Sequence, residues 1–245
     1  MGENIIMKNF KLLTTALLIT LSSLLLANNA NIKTKIEQLP MIKSIGATVN
    51  NITLVNGIYH IKAQVKGKNG GLIEGFVTPD FKTLMVGKAY NLQTGKEIVI
   101  PFDIDVKALK SVAAYKIGTG KKEYFVFTDP ECPYCRRLEK NIHKLKSDIT
   151  LYTILFPLSF HKNAISMSRY ILSQKDDKAK AAAMKGIAHK SDVYKNAKYS
   201  DIERARYDII IKKSIAIVNE LGIDGTPTII SAKGVKTSPQ AILRK

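Results

Sequence analysis

Two cysteines, Cys132 and Cys135, are the only thiols in the chain, and they stand three positions apart. Two sulfurs are too few for a disulfide framework and are not spaced as the halves of a four-ligand zinc site. A bridge between them closes a very small loop. It removes little chain entropy and strains readily, so the pair makes a poor staple and a better redox reagent. The attacking species in such chemistry is a thiolate. Pro133 suits the first turn of a helix, which sets Cys132 at a helix start, where unpaired N–H groups and the positive end of the macrodipole stabilise negative charge. Cys135 falls one turn further in. Cys132 is therefore assigned as the attacking sulfur and Cys135 as the resolving one, with Pro133 and Tyr134 as the active-site loop between them.

The neighbouring polar residues admit two readings. Asp129 and Glu131 flank the cysteines and either relay protons or cap and solvate the helix start. Arg136 and Arg137 either add positive potential or point to solvent, and the solvated reading is adopted. The four histidines, His60, His143, His161 and His189, have no mutual metal-ligand spacing and are read as surface or packing residues. No metal and no nucleotide or other cofactor is expected.

These side chains need elements to hold them. Tyr124 to Thr128 is a continuous aromatic and β-branched run, as in a buried central strand. A helix is expected from the cysteines to about Ser147, then a strand from Ile149 to Phe156, which together make a βαβ unit. Residues 162 to 221 read as helical: Asn163 to Gln174, Lys178 to Ala188 and Asp201 to Leu221, broken around Ser191 to Ser200. Gly225-Thr226-Pro227 precedes a short strand, Thr228 to Ile230, and a last helix begins at Pro239. Upstream, Ile45 to Val49, Ile52 to Val55, Ile58 to Val65, Leu72 to Val77 and Leu84 to Val86 read as strands, with reversals at Asn56-Gly57 and Thr78-Pro79-Asp80. Ile32, Ile36 and Leu39 suggest a short lead-in helix ended by Pro40, and Asp103 to Tyr115 a connecting helix. The β-rich segment buries little surface alone and calls for a partner surface or a second copy of itself.

With 245 residues, 45% of them hydrophobic, the chain can form one large or two modest domains. Its net charge is +18, but the lysines are spread and no basic block has interleaved aromatics, so a solubilising coat is read and no nucleic-acid partner is expected. Lys8 and Lys11 precede a weakly polar to apolar stretch, Leu12 to Ala27, that ends in small or polar residues, the layout of a cleavable signal peptide. At about 16 residues it is short of the roughly 20 that a spanning helix needs; a retained anchor is the alternative. Met7 is a second candidate start.

The run Phe127-Thr128-Asp129-Pro130-Glu131-Cys132-Pro133-Tyr134-Cys135, with Gly225-Thr226-Pro227-Thr228 about 90 residues on, resembles the thioredoxin superfamily, and specifically the periplasmic DsbC/DsbG group. Gly75 to Asp80 and Val86 to Leu92 resemble the end of that group's N-terminal dimerisation domain. The resemblance implies an α+β chain: signal peptide 1–30, dimerisation domain 31–95, linker helix 96–119, and thioredoxin-like catalytic domain 120–245 with a helical insertion at about 162–221. It implies a periplasmic homodimer in which two catalytic domains face a shared client space. Pro227 would be a cis-proline opposite the cysteines, with Thr226 and Pro227 binding the client. The implied activity is disulfide isomerisation or reduction of misoxidised exported proteins, sustained by an inner-membrane electron donor of the DsbD type. A dithiol oxidase and a non-enzymatic holdase are the alternatives. Cys-Pro-Tyr-Cys leans toward DsbG, although glutaredoxins share it. The helical region lacks the second disulfide of familiar DsbC proteins, which leaves the subgroup open.

Overall fold

The computed structural model describes residues 30–65, 71–99 and 101–244; the expected signal peptide lies outside them, apart from Ala30. Among the described residues no helix is long and apolar enough to cross a membrane. The chain divides into two compact units that meet between Lys88 and Ala89.

In the first unit, helix α1 (30–37) and α2 (Pro40–Ser44) precede an antiparallel meander of β1 (Ala47–Val55), β2 (Ile58–Val65), β3 (Leu72–Val77) and β4 (Leu84–Val86). Pro40 does not end the lead-in helix, as expected, but opens α2 at its first turn, where its missing N–H is harmless. The two segments expected before Asn56 are one nine-residue strand. The register shifts between Val49 and Asn51, so a bulge takes up the extra residue without breaking the strand. Asn56 and Gly57 both have positive φ (49° and 78°), as a two-residue hairpin with Val55 opposite Ile58 requires. The helices and one sheet face enclose Ile36, Ile42, Val49, Ile61 and Val77. His60 is also buried, 2.9 Å from Glu74 and against the Phe76 ring.

The second unit is built on a five-stranded sheet of β5 (Tyr115–Ile117), β6 (Lys122–Thr128), β7 (Ile149–Leu155), β8 (Thr228–Ser231) and β9 (Lys236–Thr237), in the order β5-β7-β6-β8-β9. Only β6 and β7 run parallel, joined by α4 (Pro133–Lys140). Strand β6 is central: Phe125 and Phe127 face a core shared with α3 (Val106–Val112) and the end of α7 (Asp201–Leu221), while Val126 faces Leu138, Leu151, Ile229 and Ile242. Burial on both faces explains why the run is continuously apolar rather than alternating.

The remaining helices, α5 (Ala164–Leu172) and α6 (Asp177–Ala188), pack with α7 around Met167, Ile171, Met184, Ile187 and Ile211. Helix α7 occupies the expected span because both ends are signposted. Ser200 and Glu203 form a capping box, and Gly222 ends the helix in the left-handed conformation.

Two helices are shorter than expected. Asp105 accepts from the N–H groups of Lys107 and Ala108 and so starts α3 late, whereas Tyr115 is drawn into edge strand β5 opposite Thr153. Helix α4 stops at Lys140 and a 3-10 turn follows at Ile142–Lys144. The rest of its expected length is claimed by the C-terminal segment: Leu145 pairs with Leu243, and Lys146 N–H donates to Ile242 O at 3.0 Å beside helix α8 (Pro239–Ile242).

Candidate active site

Strand β6 delivers the chain to Asp129-Pro130-Glu131, and α4 begins directly behind Cys132. Cys132 is the N-cap of α4 with extended backbone (φ −64°, ψ 126°), Pro133 takes the first helical turn, and Arg136 N–H closes the first helical bond to Cys132 O at 3.0 Å. The first turn holds no acidic residue and receives no side-chain cap. Its N–H groups are thus left beside the cysteine. Antiparallel pairing of Phe127 with Thr228 brings the preceding Thr226–Pro227 loop up to the same strand end. The Thr226–Pro227 peptide bond is cis, and Cys132 Sγ lies 3.5 Å from Thr226 O as donor. The structure therefore brings together Cys132, Cys135, Pro133, Tyr134, Thr226 and Pro227.

The two sulfurs differ in surroundings. Cys132 is 5% exposed and Cys135 1%. Burial pushes the Cys135 thiol up to about 12; hydrogen bonds from Thr128, Thr226 and the Asp129 N–H oppose it only in part. Asp129 N–H donates to Cys135 Sγ at 3.4 Å. Tyr134 is an open ring, 66% exposed, with the Arg137 guanidinium 5.9 Å from its centroid.

Asp129 holds the entry loop. Its carboxylate is fully buried and accepts from Glu131 N–H at 2.7 Å, Leu158 N–H at 2.7 Å and His161 Nδ1 at 2.9 Å. Glu131 accepts from the backbone and side-chain nitrogens of Asn163 at 2.6 and 3.0 Å. Partial burial works to raise the Glu131 carboxyl, but the Asn163 bonds and nearby His161 hold it below the usual range. Both acids thus tie the loop before Cys132 to the segment that opens α5.

Two readings of the sequence need correction here. Arg136 does not extend into solvent: its Nε donates to Pro130 O at 2.9 Å and its guanidinium rests 3.8 Å from Met167 Sδ, so it braces the loop from behind. His161 is not an unattached surface or packing residue but the third donor to Asp129. Spacing held no sign of it, since 32 residues separate the pair. His143 and His189 make local bonds to the carbonyls of Lys140 and Lys185, and His60 belongs to the first unit. Among the described residues no His, Cys, Asp and Glu cluster could hold a metal.

A sulfur at an uncapped helix start, a second sulfur buried one turn behind it and a carbonyl across the cleft can exchange disulfides. The first attacks, the second displaces. A family model and curated relatives point the same way. A thioredoxin-like domain model matches residues 109–239. A thiol:disulfide interchange protein DsbC from Pasteurella multocida is 26% identical over 231 residues, 91% of each chain. Its namesake from Haemophilus influenzae is 25% identical over 230 residues, 91% of this chain and 90% of that one. Among solved structures, a disulfide interchange protein from Neisseria gonorrhoeae is 25% identical over 53% of this chain and 86% of its own, with a TM-score of 0.42.

Proposed function

This chain belongs to the thioredoxin-like family, and from that premise we propose that it is a periplasmic thiol:disulfide interchange protein of the DsbC type that isomerises or reduces wrong disulfides in exported proteins. The observation that carries the reading is the placement of Cys132 at the start of α4, against Thr226 O and the Thr226–Pro227 loop, with Cys135 buried behind it. In the first step the Cys132 thiolate attacks one sulfur of a client disulfide. A mixed disulfide forms and the other client sulfur leaves as a thiolate. The client then rearranges: its freed thiolate attacks another client disulfide, and the thiolate released there attacks the client sulfur joined to Cys132, so Cys132 leaves as an unchanged thiolate, which is isomerisation. Otherwise the Cys135 thiolate attacks Cys132 Sγ, the client leaves reduced, and the Cys132–Cys135 pair is left oxidised. The same proton that burial keeps on Cys135 delays this second exit and gives the client time to rearrange.

The first unit supports a paired assembly. Among the described residues its sheet has unpaired edges at β1 and β4, and Leu54, Met85 and Val86 are exposed there; pairing with a second copy would cover them. Two catalytic units in one homodimer would flank a single client and hinder the oxidases that act on monomers, which leaves the dithiol to an inner-membrane donor of the DsbD type.

Trapping tests the assignment. Cys135→Ala should accumulate mixed disulfides with exported proteins on non-reducing gels, and Cys132→Ala should not. The reverse result would exchange the two roles. Alkylation of intact cells then reads direction: mostly reduced thiols fit isomerase or reductase, and mostly oxidised thiols would give the function to a dithiol oxidase.

A further inference from the structure

Beside the cysteine loop the second unit holds a cavity of about 580 Å³. One wall is α4 with the turn behind it, the other is the C-terminal segment, and Thr226–Pro227 closes the end nearest Cys132. The wall residues that matter are Tyr134, Arg137, Lys144, Pro227, Leu243 and Arg244. Three of the six are cations, and among the described residues lining the cavity there is no carboxylate.

The walls are fixed to each other rather than hanging free. Arg244 N–H donates to Lys144 O at 2.8 Å, Lys146 N–H to Ile242 O at 3.0 Å, and Lys146 Nζ to Ala241 O at 2.6 Å. Arg137, Lys144 and Arg244 thus stand on one jointed lining, and no carboxylate of the described lining offsets them. Cations gathered on one lining with no acid among them favour an anionic partner.

Resting on the exchange activity proposed above, we infer that this groove selects client segments that carry carboxylates a few residues from the reacting cysteine. An extended segment advances about 3.3 Å per residue, whereas five residues of helix from Cys132 to Arg137 rise about 7.5 Å. A carboxylate two to four residues from the client cysteine therefore reaches Arg137, the cation of this lining on the cysteine helix itself, while the client sulfur sits at Cys132. The apolar floor at Leu243 and Pro227 takes the intervening side chain. Acidic clients bind, and lysine-flanked ones are turned away.

The test uses the full chain and three peptides that differ only at positions two and four to either side of one cysteine: neutral, glutamate or lysine. Each is supplied as a mixed disulfide with the same chromogenic thiol, whose release gives the rate. A partly screened ion pair at about 6 Å is worth roughly a threefold change in rate, so two engaged carboxylates give the glutamate peptide about a tenfold advantage over the neutral peptide at low salt, and a glutamate-to-lysine ratio of about a hundred. That ratio should fall toward one at about 1 M salt, where the screening length is about 3 Å, and should invert in the triple variant Arg137→Glu/Lys144→Glu/Arg244→Glu. Because it compares two substrates on one preparation, partial unfolding of the variant does not move it. If the wild-type protein fails to exchange even the neutral peptide, the proposed function falls. Exchange of the neutral peptide with a glutamate-to-lysine ratio near one, or a ratio that survives the triple variant, overturns the groove and leaves the function standing.

Discussion

Glu139 ought to make the stability of this protein fall as pH rises from mildly acidic to neutral, and Glu139→Gln should abolish that contribution. The residue lies on α4, the helix that presents Cys132, and is only 7% exposed. Its Oε1 has no hydrogen-bond partner among the described residues. Burial pushes its carboxyl from an ordinary 4.5 up to about 7, and Lys185 on α6 opposes this only in part. Tyr115 on β5 feels the same charge from the other side, its phenol pushed well up by burial and then by Glu139. His143 lines the cavity that Glu139 borders. Below about 4.5 both folded and unfolded chains carry the proton, and above about 7 neither does. Between those limits the folded chain holds more protons, so its stability falls with rising pH. A difference of about two and a half pH units at 1.36 kcal/mol each is about 3 kcal/mol. Urea denaturation of both proteins, followed by far-UV circular dichroism from pH 4.5 to 8, gives the quantity as a difference in which other titrating groups cancel. The advantage of Glu139→Gln should grow by about 3 kcal/mol across the window and then level off. Parallel curves would refute the argument and mean that Glu139 is ionised in the fold throughout.

Asp129→Ala should destabilise the second unit by about 2–4 kcal/mol in a urea melt, because it strips acceptors from two backbone N–H groups and from His161. Asp129→Asn, which keeps a carbonyl oxygen, should lose less; equal losses would mean that only side-chain volume matters there. The full chain should scatter light as a dimer, whereas residues 89–245 alone should be monomeric, should still reduce insulin, and should lose most ability to reshuffle a scrambled multi-disulfide protein. A full-length monomer with full reshuffling activity would remove the architectural half of the functional reading.

How much of this was legible in the chain depended on how far apart the partners lie. The strand before the cysteines, the proline that opens α4 and the whole of α7 are written in consecutive residues: a doubly buried apolar run, a residue that tolerates only the first turn, and a capping box answered by a left-handed glycine. The end of α4 is not so written. Residues 141–147 carry no strong helix breaker, and what stops the helix is the C-terminal segment about a hundred residues later, which takes Leu145 and Lys146 as partners. Tyr115 likewise reads as helical from its own neighbourhood, and the ladder to β7 makes it strand.

The missed histidine is the most instructive case. No pair of histidines has metal-ligand spacing, so nothing in their own pattern marks His161. The informative residue was its partner. Asp129 ends an apolar strand buried on both faces, and the next residue is Pro130, which has no N–H to offer. A carboxylate in that position cannot be satisfied by its immediate neighbour and must collect donors from elsewhere in the fold or remain a costly buried charge. One donor comes from Glu131, two positions on, and the other two come from Leu158 and His161, on the far side of β7 in sequence. The demand was local and visible, but its supply depended on the return of the chain through β7, which no spacing rule encodes. That return also anchors Glu131 through Asn163. The loop that aims Cys132 is therefore held from both ends: by the strand that precedes it, which the sequence declares, and by the opening of the helical region, which only closure of the fold brings within reach.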